Sequence, residues 1–317
     1  MATISKILKS RLGIIEGSPG KLLSSVEKAQ VQVLREIEDL LGKLQFEGNE
    51  LKVTQKNFSI IEQIDTRMRI AFNKSDYVKG MKEFVGRFKD IEKLNIEFFK
   101  KEFKVDTSRI VKTVIENARK QSVDLLIGQG SMDTAFFNPI KETLIRAVTS
   151  QSSFSELVTN IRNIAIGTGD KEGKLLRHAK QIAKDTLNTA DRSISSAVMN
   201  FVGADFCQYV GLTKDTTRCF CDQRAGKFFH VKEVMAWGSG DLSAGGLNNE
   251  CDIGDGKWAG WKEGTNESTI FDYAGGHECN HAIVLRSAAS VPKEVIQRAI
   301  DAGYYKPSKK EREALGL

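Results

Sequence analysis

The chain has 317 residues, 40% hydrophobic and 28% charged, with a formal net charge of +6; that length supports a sizeable core and up to two domains, with ordinary globular proportions. No run reaches the ~18 apolar residues that a membrane span needs, and no leader-like stretch opens the chain, so a soluble, non-secreted protein without a membrane partner is expected. The five cysteines are odd in number and clustered, which points to a reducing compartment and to metal-bound or plain thiols ahead of bridges.

The first two hundred residues read as helix. Ser24 with Glu27 fits a capping box, and Val26, Leu34, Ile37, Leu41 and Leu44 follow at mostly helical intervals, so a long amphipathic helix is predicted to start there. Ile60, Ile61, Ile64, Met68 and Phe72 predict a second, and the run from Tyr77 to Phe98 a longer third, with the break near Asn73 and Ser75. The same periodicity predicts helices over Thr107 to Ile127, Pro139 to Thr149, Phe154 to Ile166 with a capping box at Ser153 and Glu156, and Leu175 to Phe201. Pro19, Pro139, Pro292 and Pro307 are each expected at or beside a boundary, where a missing N–H costs least. Gly128-Gln129-Gly130 and Gly167-Thr168-Gly169-Asp170 read as loops. Neither has the spacing of a phosphate-binding loop.

Composition changes after about Asp205, where glycines become dense and all three tryptophans, Trp237, Trp258 and Trp261, occur. Lys227 to Val231 and Ala282 to Leu285 read as short strands between loops. Between Asp241 and Asp272 seven acidic residues meet two lysines, a net of −5 that leaves +11 on the remainder. Such a basic body favours non-specific contact with DNA phosphates; the plainer alternative is that Lys and Arg solvate helix faces, because they interleave with acids at helical spacing. A last amphipathic helix over Pro292 to Ala302 precedes a charged tail from Lys306 that is expected to be poorly ordered. The fold class is therefore α+β: a long, mainly helical N-terminal region followed by a small Gly/Trp-rich α+β module. The segments are 1–174, a helical body, 175–290, the module, and 291–317, helix and tail.

Chemistry concentrates in two segments about sixty residues apart, Arg218-Cys219-Phe220-Cys221 and Gly276-His277-Glu278-Cys279-Asn280-His281. Brought together they offer the soft donors of a structural zinc site. Cys221, Cys279 and His281 are the leading ligands, with His277 or Cys219 completing a closed four-coordinate set. On an extended strand Cys219 and Cys221 would share a face with little room to wrap one ion. The competing reading is reduced thiols and hydrogen-bonded histidines on strands held by the tryptophans. Cys207 and Cys251 are expected to pack as small hydrophobes, and His230 and His178 as surface or core histidines. A metal-dependent nuclease of the histidine/asparagine/histidine type would need a further ligand downstream, and no histidine follows His281. No catalytic constellation is complete, so enzymatic activity is not expected.

The stretch from Asp215 to Phe229, with Asp215-Thr216-Thr217-Arg218-Cys219-Phe220-Cys221 and Gly226-Lys227, and the later Gly275-Gly276-His277-Glu278-Cys279-Asn280-His281, resemble the signature of the Mu F-like minor head, or head morphogenesis, proteins of tailed bacteriophages. Ile182 to Ala190 stands where members carry an Ala-rich helix that leads into a short strand. Asn280 stands in place of a usual Arg, and the first half of the chain is not covered. The resemblance implies a structural virion protein of the capsid interior at the portal vertex, present in the host cytoplasm during assembly. It implies portal protein as partner, with capsid or scaffold protein and packaged DNA as further contacts, and roles in capsid assembly and DNA packaging or delivery.

Overall fold

The computed structural model describes residues 2–277 and 279–317. In chain order the elements are α1 (Ala2–Leu41), β1 (Phe46–Glu47), β2 (Glu50–Leu51), α2 (Gln55–Lys74), α3 (Asp76–Phe103), α4 (Ser108–Ile127) and α5 (Gln129–Met132). A π-helical turn, Asp133–Phe137, leads into α6 (Asn138–Thr149), followed by α7 (Phe154–Ala165), β3 (Gly167–Thr168), β4 (Lys171–Glu172) and α8 (Lys174–Val202). Then come β5 (Phe206–Val210), α9 (Cys219–Arg224), β6 (Phe228–His230), α10 (Val231–Gly238), α11 (Ile270–Tyr273), β7 (Ala282–Arg286), α12 (Lys293–Asp301) and α13 (Lys309–Leu315). With about 65% helix and 8% strand, the fold is the mostly helical α+β class that the sequence pattern predicts.

The chain forms two compact units, each assembled from separated segments. One comprises Gly17–Phe88 and Arg119–Lys184. Its interior is built from helical stripes: Leu22, Val26, Ala29, Val33 and Ile37 from α1, Ile60, Ile61, Ile64 and Met68 from α2, and Phe84 and Phe88 from α3, all fully or almost fully buried. These positions recur every three or four residues, so one face of each helix is apolar. The Tyr77 hydroxyl, buried in this interior, donates to the Leu126 carbonyl at 2.6 Å, and Phe72 meets Tyr77 and Phe137 through ring contacts. Ser153 caps α7 by accepting from the Glu156 amide, and Ser75 closes α2.

The other unit comprises Met1–Glu16, Lys89–Ala118 and Asp185–Leu317. Its centre is an antiparallel sheet in the order β6-β5-β7, with Cys207 opposite Phe229 on one side and Leu285 on the other. Against it lies a cluster of Phe206, Val291, Val295, Ile296, Ala299 and Tyr305. Two buried charge pairs tie distant segments: Arg11 donates to both oxygens of Asp191, which also accepts from Asn95, and Glu102 accepts from Arg286 and from the Ser287 amide.

Four sequence expectations change. Helix α1 begins at Ala2, not at Ser24, because Ile7, Leu8, Arg11 and Ile15 extend the same buried face upstream. Pro19 accordingly lies inside a helix, where packing on both flanks has to offset its missing hydrogen bond. Gly128 is only the cap of α5, so the predicted loop is a one-residue break. The tail after Lys306 contains α13, with a reciprocal capping box between Ser308 and Glu311 and with Leu315 packed against the Phe206 cluster.

Candidate metal centre

The segment Cys219 to Arg224 is a short helix, not the extended strand its alternating cysteines suggest. Residues two apart on a helix point in different directions, and the two thiols diverge accordingly. Cys219 is disulfide-bonded to Cys251. Cys221 points inward, 3% exposed, with its Sγ 3.6 Å from Cys279 Sγ. The expectation of metal-bound or plain thiols ahead of bridges is thus overturned for Cys219, a candidate ligand, and Cys251, expected as a small hydrophobe: they bridge thirty-two positions apart, which removes Cys219 from any ligand set. Cys207 does pack as a small hydrophobe, wholly buried in β5, and burial pushes its thiol up.

Cys279 and His281 arrive from the other side on the segment that enters β7. His281 Nδ1 is 3.7 Å from Cys279 Sγ, and one ligand atom from each of Cys221, Cys279 and His281 falls within 4.8 Å of the others, a grouping that can hold a metal ion. His277 does not join them. Its side chain is exposed, and its carbonyl accepts a hydrogen bond from Arg218. Glu278, between the two, lies outside the described residues.

Glycine makes room for the three donors at two positions. A Cβ at Gly275 would collide with the sulfurs of both Cys221 and Cys279, and one at Gly211 with the ring of His281. Around this space Trp258 stacks on Phe220, with centroids 3.9 Å apart, and donates its indole N–H to the Gly275 carbonyl at 3.1 Å. Arg224, fully buried, lies over Phe220 and Trp237 at 3.7 and 4.4 Å and donates to the Phe220 and Leu242 carbonyls. Burial lowers its pKa to about 10.

The residue that fixes the ligand segment is Arg192 of α8, which the sequence reading passed over. Its guanidinium donates to the carbonyls of Cys279 and His281, and also reaches those of Asp272 and Tyr273. Five N–H groups in a fixed fork suit such a set of carbonyl acceptors. The only sign of it in the sequence is an Asp-Arg pair, Asp191-Arg192, on the apolar side of a helix.

The sulfurs share a proton unequally. The hydrogen bond from Cys221 holds Cys279 well below the ordinary thiol range against the opposing effect of burial, with His281 and Arg192 helping. The same hydrogen bond, together with burial, raises Cys221. Cys279 is therefore the ready thiolate, and ion binding would displace the Cys221 proton. Tyr209 completes the surround: its ring stacks on His281, its hydroxyl is 3.3 Å from Cys221 Sγ, and burial keeps its pKa well above the usual phenol value. Among the described residues no helix is long and apolar enough to cross a membrane. No family model, no curated protein and no solved structure matches this chain.

Proposed function

We propose that this chain is a structural head protein of a tailed bacteriophage, of the Mu F-like kind, whose C-terminal part is pinned by a zinc ion on Cys221, Cys279 and His281. The observation that carries the reading is convergence. The two segments that bear the resemblance, 218–221 and 277–281, are far apart in sequence, and their inward donors meet with separations of 3.6 Å between sulfurs and 3.7 Å between sulfur and nitrogen. Donors at ~2.3 and ~2.0 Å from one tetrahedral zinc lie about 3.8 Å (sulfur to sulfur) and about 3.5 Å (sulfur to nitrogen) apart, so the spacing is close to that of two edges of a zinc tetrahedron. Two soft sulfurs with an imidazole favour zinc over the oxygen-seeking divalent cations.

A pinned module joined to long helices suits a part that docks on a portal and tolerates packaged DNA, in line with the +6 net charge. Its seat is then the capsid interior at the portal vertex. Co-expression with the portal protein of the same genome tests the assignment: a stable complex, and the chain in purified procapsids, are expected. Absence from procapsids together with no portal complex would sink it. Elemental analysis tests the zinc separately, with one equivalent and two metal-protected thiols expected.

A second reading, a metal-dependent hydrolase acting on DNA during packaging, is favoured by the number of donors, since three protein ligands is the catalytic count for zinc. It requires divalent-ion-dependent cleavage of plasmid DNA that Cys279→Ala abolishes.

A further inference from the structure

Three donors leave a tetrahedral ion one short. Among the described residues no other Cys, His, Asp or Glu brings a ligand atom into the cluster. Two neighbours can occupy the remaining corner. One is the Tyr209 hydroxyl, 3.3 Å from Cys221 Sγ and 4.0 Å from Cys279 Sγ. The other is a cavity of about 290 Å³ that all three donors line. Tyr209 is not among its lining residues, so the two occupants approach from different sides.

The cavity wall has a definite character. Beside the three donors, Lys214, Arg218, Thr216, Thr217 and Asn280 line it, with Glu16 as the one carboxylate among the described residues. The Arg218 guanidinium is bonded to the Gly275 and His277 carbonyls, which fix its position, and among the described residues no carboxylate pairs with it. The Thr217 oxygen accepts from the Lys214 amide, so its hydroxyl proton is free to point elsewhere. A zinc ion with two thiolates and a neutral imidazole is electrically neutral, and among the described lining residues two cations meet one carboxylate, a positive surplus. Donors and positive charge around a Lewis-acidic corner are what an oxyanion binds.

Resting on the zinc reading, we infer that the fourth coordination position opens into this cavity and takes an exchangeable oxyanion, a phosphate or carboxylate oxygen, held also by Lys214 and Arg218. The centre then both staples the module and offers an anion-binding point. A partner's acidic side chain and a nucleic-acid phosphate carry the same chemistry.

Cobalt(II) in place of zinc in the full chain gives the readout, because its visible bands report the coordination shell. Uptake of one cobalt with a thiolate charge-transfer band is expected first; failure to bind any would overturn the zinc reading and this inference together. Inorganic phosphate and, separately, acetate are then titrated. A saturable shift of the visible bands with either one supports the inference, and the stronger of the two names the preferred oxyanion. Lys214→Ala, a change at an exposed side chain, should weaken that midpoint about threefold, the scale of an exposed ion pair, without altering cobalt uptake. Normal cobalt uptake with bands that ignore both anions would overturn this inference alone. Bands that move in Tyr209→Phe and not with anions would assign the fourth corner to the phenol and overturn it equally.

Discussion

The helical unit of residues 17–88 and 119–184 and the loop-rich stretch from β5 to β7 reach burial by opposite routes. In the first, stability is spread over many aliphatic side chains at three- and four-residue spacing, so each contributes little and none is indispensable. In the second, the thirty-one residues between Cys219 and Cys251 and the twenty-seven between Cys251 and Cys279 contain few long apolar runs. Order there rests on a disulfide, a donor cluster, two buried guanidiniums and stacked tryptophans. Distributed packing degrades gradually, whereas concentrated restraints fail one at a time and locally.

On the proposed zinc reading, metal removal should break the comparison most visibly. Structural zinc supplies an apparent ~10–16 kcal/mol in small peptides, so a strong chelator is expected to abolish the near-ultraviolet circular dichroism of Trp237, Trp258 and Trp261, all of which lie in the concentrated region. The far-ultraviolet helix signal should persist. Simultaneous loss of both signals would show that the two regions unfold as one. Arg192→Met comes next: it strands several buried carbonyls around Cys279 and His281, and a buried acceptor left unsatisfied costs about 1–3 kcal/mol. Urea denaturation followed by tryptophan fluorescence measures it, and a change under 1 kcal/mol would refute the positioning role. Reducing Cys219–Cys251, which closes a thirty-two-residue loop, should cost about 3–4 kcal/mol on the chain-entropy account, read by the same probe with and without reductant.

Legibility followed the same division. Helices α4, α6, α7 and α8 could be read from the sequence within a residue or two, and α2 and α3 by position but about five residues short at one end, because a stripe of apolar residues at period 3.6 has one physical outcome whereas its polar ends carry no stripe. The start of α1 was misplaced because a Ser-x-x-Glu pair marks a cap only where the upstream residues do not continue the stripe, and Ile7, Leu8 and Ile15 do. At the candidate site, Cys221, Cys279 and His281 were legible as donors, but the fate of Cys219 was not. Whether a Cys-x-Cys pair is extended or helical decides if its thiols share a face, and the dense glycines nearby support either backbone. The Cys251 partner and the Arg192 clamp are matters of long-range placement: the first has no local signature, and the Asp191-Arg192 pair marks the second as buried without saying what it holds.

A conservative truncation in the distributed core sets the baseline for the comparison. Ile64 is fully buried in α2, and Ile64→Val should cost about 0.5–1.5 kcal/mol with no effect on metal content by elemental analysis. A change in zinc stoichiometry there would mean that the concentrated site depends on the helical packing.

The mildest test uses pH at His230, a concentrated restraint without metal or sulfur. Its Nδ1 caps α10 by accepting from the Lys232 amide at 3.1 Å, while the His230 amide donates to Glu233. The ring is edge-on to Phe206 and stacked on Tyr304, and Nε2 has no hydrogen-bond partner among the described residues. Burial lowers the pKa to about 4 from an ordinary 6.5, with Glu233 opposing the shift and Lys232 adding to it. The unfolded chain therefore binds a proton that the folded one refuses between those values. Stability is full above about pH 6.5 and declines as the pH falls toward about 4, by about 1 kcal/mol at about pH 5.5. His230→Asn keeps an oxygen that can cap the helix and has nothing to titrate. Its urea midpoint should be lower than the parent's at neutral pH, because the stacking is lost, yet nearly flat between about pH 7.5 and 5.5, where the parent falls. Equal declines in the two proteins would show that His230 is not the group responsible, and that the cap tolerates a protonated imidazole.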